Sequence, residues 1–261
     1  MKARCGDIDL HYTVEGEGPW LTLSHSLACD SSMWDDQMPW LTQHFKVLRF
    51  DTRGHGQSSA PAGPYTLEGL ADDAYHLMQH LGIRQTHWLG LSLGGMIGQT
   101  FVLKYPNLVK SLSLAATTSR GLPAAPGMWA DRARIARTQG MATLLEPTLA
   151  RWYTAPSREA KLPVIDRITQ TILGTPPEGY ASCCEAISGL DLTDRLGSIQ
   201  CPTLVVVGTE DTGTPPEMSR IIHEHIPGSV LHLIPKAAHL VNTEQPAAFD
   251  QVLKEFLLRV K

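Results

Sequence analysis

A chain of 261 residues, 43% of them hydrophobic, can bury one sizeable core and suits a single α/β domain, with room for an insertion. Its net charge of −4 gives no reason to expect nucleic acid or an anionic membrane as a partner. No apolar run approaches bilayer length, and Met1-Lys2-Ala3-Arg4-Cys5-Gly6-Asp7 carries no apolar stretch, so no membrane span and no secretory signal are expected.

The first element expected is an edge strand or hairpin over Asp7–Val14, where polar and apolar residues alternate. Leu21–Ser24 and Val47–Phe50 are short buried-strand candidates. Between 67 and 81, apolar residues recur at helical spacing and stop before Gly82. A strand from Thr86, a helix from Gly95 to Tyr105 and a strand over Leu112–Ala115 follow. Strands alternating with helices imply a parallel sheet covered on both faces. The rhythm stops at Thr117, and 118–201 reads as helical with Pro and Gly breaks. It resumes with Pro202–Gly208, a further strand over Val230–Ile234 and a helix from about Ala247 to Val260. The expected organisation is a core of 1–117 and 202–261 interrupted by a helical lid, 118–201.

Gly90-Leu91-Ser92-Leu93-Gly94 fits G-x-S-x-G between a strand and a helix. A serine at the tip of such a turn stands exposed at a helix N-terminus, and the glycines avoid crowding it. Its hydroxyl needs a base, and the base an orienting acid, in the order Ser…Asp/Glu…His. Asp211 follows one expected strand, with the adjacent Glu210 as the alternative acid. His239 follows the last strand. A tetrahedral intermediate would also need oxyanion donors, for which the backbone N–H groups of Leu93 and Leu27 are the candidates. His25, Asp51, Arg53 and His55 read as residues that brace loops. The five cysteines are odd in number and in no metal-like spacing, so they read as reduced, packed thiols of a cytosolic protein. Neither metal nor organic cofactor is expected.

The chain resembles α/β-hydrolases over nearly its whole length. The residues that carry the resemblance are Asp51-Thr52-Arg53-Gly54-His55-Gly56-Gln57-Ser58, which match D-x-R-G-x-G-x-S, and the ordered nucleophile, acid and histidine segments. The resemblance implies an α/β-hydrolase fold, a mostly parallel sheet flanked by helices with a helical lid after the sixth strand. More narrowly the chain is similar to 3-oxoadipate enol-lactonases, through Ser26-Leu27, Met33-Trp34, Arg49–Gly56 and the segments Arg137–Met141, Arg151–Thr154 and Glu178–Ile187. Ser26 departs from the broad family, many of whose members carry Gly there. The implied activity is opening of a small carboxylated lactone through an acyl-enzyme on Ser92. A general carboxylesterase or a cofactor-free perhydrolase would share the triad, and a triad-bearing small-molecule receptor is the alternative of another class.

Residues 118–201 carry nine Lys or Arg against eight Asp or Glu, while the rest of the chain is acidic. A guanidinium over the pocket would suit a substrate carboxylate. Arg132 and Arg134 are candidates, but two residues apart they cannot share a helix face, so at most one is expected inside. Trp129 and Trp152 are candidate apolar walls.

Overall fold

The computed structural model describes residues 1–121 and 127–261. The chain opens with a hairpin, β1 (Lys2–Cys5) and β2 (Ile8–Glu15), where alternation alone left strand and hairpin open. β3 (Trp20–Ser24), the short helix α1 (Met38–Leu41) and β4 (Lys46–Phe50) come next. They lead to α2 (Leu67–His80), β5 (Thr86–Leu91), α3 (Leu93–Lys104) and β6 (Val109–Ala115). The Thr66 side chain caps α2 by accepting from Gly69 N at 3.0 Å, so the helix starts where its apolar stripe starts.

Between β6 and β7 (Thr203–Gly208) the described residues form α4 (Met128–Gln139), α5 (Ala142–Trp152), α6 (Ala155–Glu159), α7 (Pro163–Gly174) and α8 (Pro177–Ser188). The expected lid range takes in 122–126, which lie outside the described residues. The neck of the insertion is closed by backbone bonds: Leu192 N donates to Ser119 O at 2.7 Å and Gly121 N to Leu190 O at 3.1 Å. The chain ends with α9 (Pro216–His225), β8 (Val230–Ile234), α10 (Val241–Glu244) and α11 (Pro246–Val260).

Among the described residues one eight-stranded sheet runs in the order β1-β2-β4-β3-β5-β6-β7-β8. The pairs β1–β2 and β2–β4 are antiparallel and the other pairings are parallel. β5 and β7 are buried along their whole length, as central parallel strands covered on both faces must be. Helices flank the sheet, with α3 against β3, β5 and β6, and α9 against β7 and β8. Because β5, β7 and β8 are parallel, their carboxyl ends open on one edge, where a site on such a sheet forms.

Candidate active site

Ser92 sits where β5 turns into α3, with φ 55° and ψ −114°. A non-glycine residue in that region is strained, and the surroundings hold it there. Ser92 N donates to Ala115 O at 2.9 Å, and the Ser92 carbonyl accepts from Gly95 N, Met96 N and Thr117 Oγ1. The turn is tight enough that a Cβ on Gly94 would lie 2.0 Å from Ser24 O, and one on Gly90 2.1 Å from Gly94 O. Glycine at both places is therefore a steric requirement.

Asp211 follows β7 and is 3% exposed. Its Oδ1 accepts from Gly213 N at 2.7 Å and Thr214 N at 2.9 Å. Its Oδ2 accepts from Thr214 Oγ1 at 2.8 Å and lies 2.9 Å from His239 Nδ1, which follows β8. The carboxylate thus fixes the ring with Nδ1 as donor and leaves Nε2 free to accept. Glu210, the alternative acid, is exposed, and among the described residues its one hydrogen bond is from its backbone N to Ala237 O. The indole of Trp152 stacks on the His239 ring with centroids 6.2 Å apart.

Ser92 and His239 line one cavity of about 470 Å³. Ser26 and Leu27 border it on one side, and Met96, Met128, Trp129, Trp152, Tyr180 and Met218 make it mostly apolar. Among the described residues the amide nitrogens of Leu27 and Leu93 have no acceptor, the latter because a first helical residue has no intrahelical partner. The peptide groups beside Leu27 are held in place. His25 Nδ1 donates to Ser26 O at 2.8 Å while its Nε2 accepts from Thr52 N at 2.8 Å. His55 Nε2 accepts from Ala28 N at 3.0 Å. Burial, reinforced by His25 nearby, pushes the His55 pKa down to about 3, which keeps Nε2 available as that acceptor. Asp51 accepts from Ser31 N and Gln57 N, and Arg53 pairs with Asp73. These four residues brace loops, as their sequence context indicates.

Of the arginine candidates, Arg132 lines the cavity. Its Nη2 donates to Thr148 Oγ1 at 3.1 Å, and its guanidinium carbon lies 5.6 Å from the Trp129 ring. Arg134 does not reach the cavity. Two residues on along α4, it points to solvent, exposed and 3.4 Å from Asp131. Trp129 and Trp152 line the same cavity.

Sequence reasoning missed Arg151, which also lines the cavity. Among the described residues neither Arg132 nor Arg151 has an acidic partner within ion-pair distance. The signal was indirect: Arg151 and Trp152 are adjacent on α5 and share a face only through Thr148, at i+3 and i+4 from it, which the sequence did not single out. Thr214, the third donor to Asp211, gave no signal beyond its place in a turn.

The family model for the alpha/beta hydrolase fold matches residues 19–246. The chain belongs to the α/β-hydrolase family. It is 33% identical to 3-oxoadipate enol-lactonase 2 of Acinetobacter baylyi over 97% of this chain and 94% of that one. The crystal structure of the enol-lactonase from Burkholderia xenovorans LB400 superposes with a TM-score of 0.95 at 39% identity, covering 99% of this chain and 100% of that one. A thermophilic esterase from Thermogutta terrifontis, solved malate bound, is 34% identical with a TM-score of 0.93, over 100% and 98% of the two chains. As a member of this family the chain is a hydrolase with a small-molecule substrate. Among the described residues no helix is long and apolar enough to cross a membrane.

Proposed function

We propose that the protein is a serine hydrolase that opens a small lactone carrying a free carboxylate, of the 3-oxoadipate enol-lactone kind. The observation that carries this reading is that one mostly apolar cavity holds Ser92 and His239 together with two guanidiniums, Arg132 and Arg151, that have no acidic partner among the described residues, while Glu217 at the same cavity is paired with Arg220. Such groups in an apolar wall favour an anionic ligand. A relative that holds malate, a dicarboxylate, supports the same preference.

In this mechanism Ser92 Oγ attacks the lactone carbonyl as His239 Nε2 takes its proton, and Asp211 holds the imidazolium that forms. The oxyanion accepts from the N–H groups of Leu27 and Leu93. Collapse breaks the ring C–O bond. The leaving oxygen departs as an enol, takes its proton from His239 and rearranges to a ketone. Water, deprotonated by His239, then attacks the acyl-enzyme and releases the acid. The helices over 128–188 act as the lid that encloses the substrate and present the arginines to its carboxylate.

The test is a comparison of an enol-lactone bearing a carboxylate with p-nitrophenyl acetate, in the wild type, Ser92→Ala and Arg132→Met. Ser92→Ala should lose both activities. Arg132→Met should raise KM for the anionic lactone about 10- to 100-fold, since a hydrogen bond to a charged group contributes about 1.5–3 kcal/mol, and leave the neutral ester within about twofold. Equal loss on both substrates would refute the anion preference, and full activity in Ser92→Ala the mechanism.

A further inference from the structure

Glu244 is a buried carboxylate for which the acyl-transfer chemistry has no use, and it is 5% exposed. It lies on the turn of α10, five residues after His239. Its Oε2 accepts from Ala238 N at 2.6 Å, the amide next to His239 in the chain. Its Oε1 accepts from Thr154 N at 2.8 Å and Thr154 Oγ1 at 2.7 Å. Thr154 occupies the N-cap position of α6 but makes no side-chain cap to that helix. A hydroxyl that would ordinarily cap its own helix is turned to Glu244 instead.

This is the centre of a longer seam. Leu240 N donates to Trp152 O at 3.1 Å, and Tyr153 Oη is 2.9 Å from Thr243 Oγ1. Three successive residues of the inserted helices, 152–154, are each bonded to the 238–244 segment. The first of them also stacks its ring on His239. The segment carrying the histidine is therefore held on both sides of the ring: by Asp211 and Trp152 on the ring itself, by Glu244 on the backbone just before it and by Trp152 O on the backbone just after it.

We infer that Glu244 is a positioning residue, which sets the His239 ring against Ser92 by locking the 238–240 backbone to the inserted helices through Thr154. The inference rests on His239 being the base. Both oxygens of Glu244 accept from backbone N–H groups, so Glu244→Gln is nearly isosteric yet places an NH₂ against one N–H donor whichever way it turns. Thr154→Val removes the hydroxyl, with its bonds to Glu244 and to Ser157 Oγ at 3.1 Å, and keeps both amide bonds to Glu244.

The experiment measures p-nitrophenyl acetate hydrolysis against pH, with the His239 ring titration followed by NMR, in the wild type and both variants. In Glu244→Gln, kcat should fall about tenfold with KM within about twofold. The acid limb of kcat/KM should move to lower pH, because a loosened ring loses part of its contact with Asp211. Thr154→Val should move in the same direction with a loss of about threefold, and it decides the matter if Glu244→Gln does not fold. A lowered melting temperature with kcat, the acid limb and the His239 titration unchanged would make Glu244 a purely structural residue and overturn the inference. A wild type without esterase activity would instead refute the catalytic reading, while the NMR titration would still judge the positioning.

Discussion

Replacing Asp211 by Asn should nearly abolish activity, and the structure fixes the reason. Asn has one acceptor and one donor where Asp211 has two acceptors. One oxygen position faces two backbone amides, Gly213 N at 2.7 Å and Thr214 N at 2.9 Å; the other faces His239 Nδ1 at 2.9 Å and a threonine hydroxyl that can donate or accept. Turning the NH₂ toward the amides would leave both without an acceptor, at about 1–3 kcal/mol each. The NH₂ therefore faces His239, donates to Nδ1 and forces the proton onto Nε2. A ring protonated at Nε2 cannot take the Ser92 proton. Only the flipped rotamer is competent, and a penalty of about 2–6 kcal/mol makes it a minority of about 1 in 30 to 1 in 10⁴. The expected loss in kcat/KM spans that range, and a carboxylate-to-amide change in a serine protease triad costs about 10⁴. The assay is steady-state hydrolysis of p-nitrophenyl acetate, with circular dichroism to confirm the fold. A variant that keeps more than a tenth of the wild-type kcat/KM would refute both the rotamer argument and the role of Asp211.

Gly94→Ala should fail at folding rather than at chemistry, because its Cβ would sit 2.0 Å from the Ser24 carbonyl oxygen in the sheet interior; soluble yield and melting temperature read this, and a wild-type melting temperature would show that the turn can relax. Acid should unfold the protein through buried neutral histidines. Burial holds the pKa of His55 near 3 and, with Lys110 nearby, that of His87 near 4, against 6.5 when unfolded. The neutral forms are the ones the fold favours, so this stability is complete above pH 6.5 and is lost as pH falls, by about 3 kcal/mol per histidine at pH 4. Urea titrations between pH 6.5 and 4 should show a slope approaching two protons, and His87→Leu should remove one of them; an unchanged slope would place His87 in a solvated setting.

The parts of the site that were legible in the sequence are those where a local constraint allows few residue types. The turn at Ser92 needs glycine on both sides, so it announces itself as a motif. The acid and the histidine follow strands whose apolar runs are short and bounded, so their common edge follows from strand order alone. The residues that escaped notice act across long sequence separations. Glu244 meets Thr154 ninety positions away, and nothing near either residue marks the pairing. Arg151 could be told from a solvated arginine only once α5 was oriented with Trp152 toward His239. Arg134 shows the limit from the other side. The period of α4 established that Arg132 and Arg134 diverge, but which one faced inward depended on how α4 packs on α8. That packing also engages Arg137, which donates to Glu178 and Glu185. With Arg137 committed to α8 and Arg134 to solvent, Arg132 is the guanidinium of α4 that faces the cavity. Which guanidinium faces the cavity is therefore set by the rotation of α4, a tertiary property, whereas the turn that carries Ser92 is local and could be read directly.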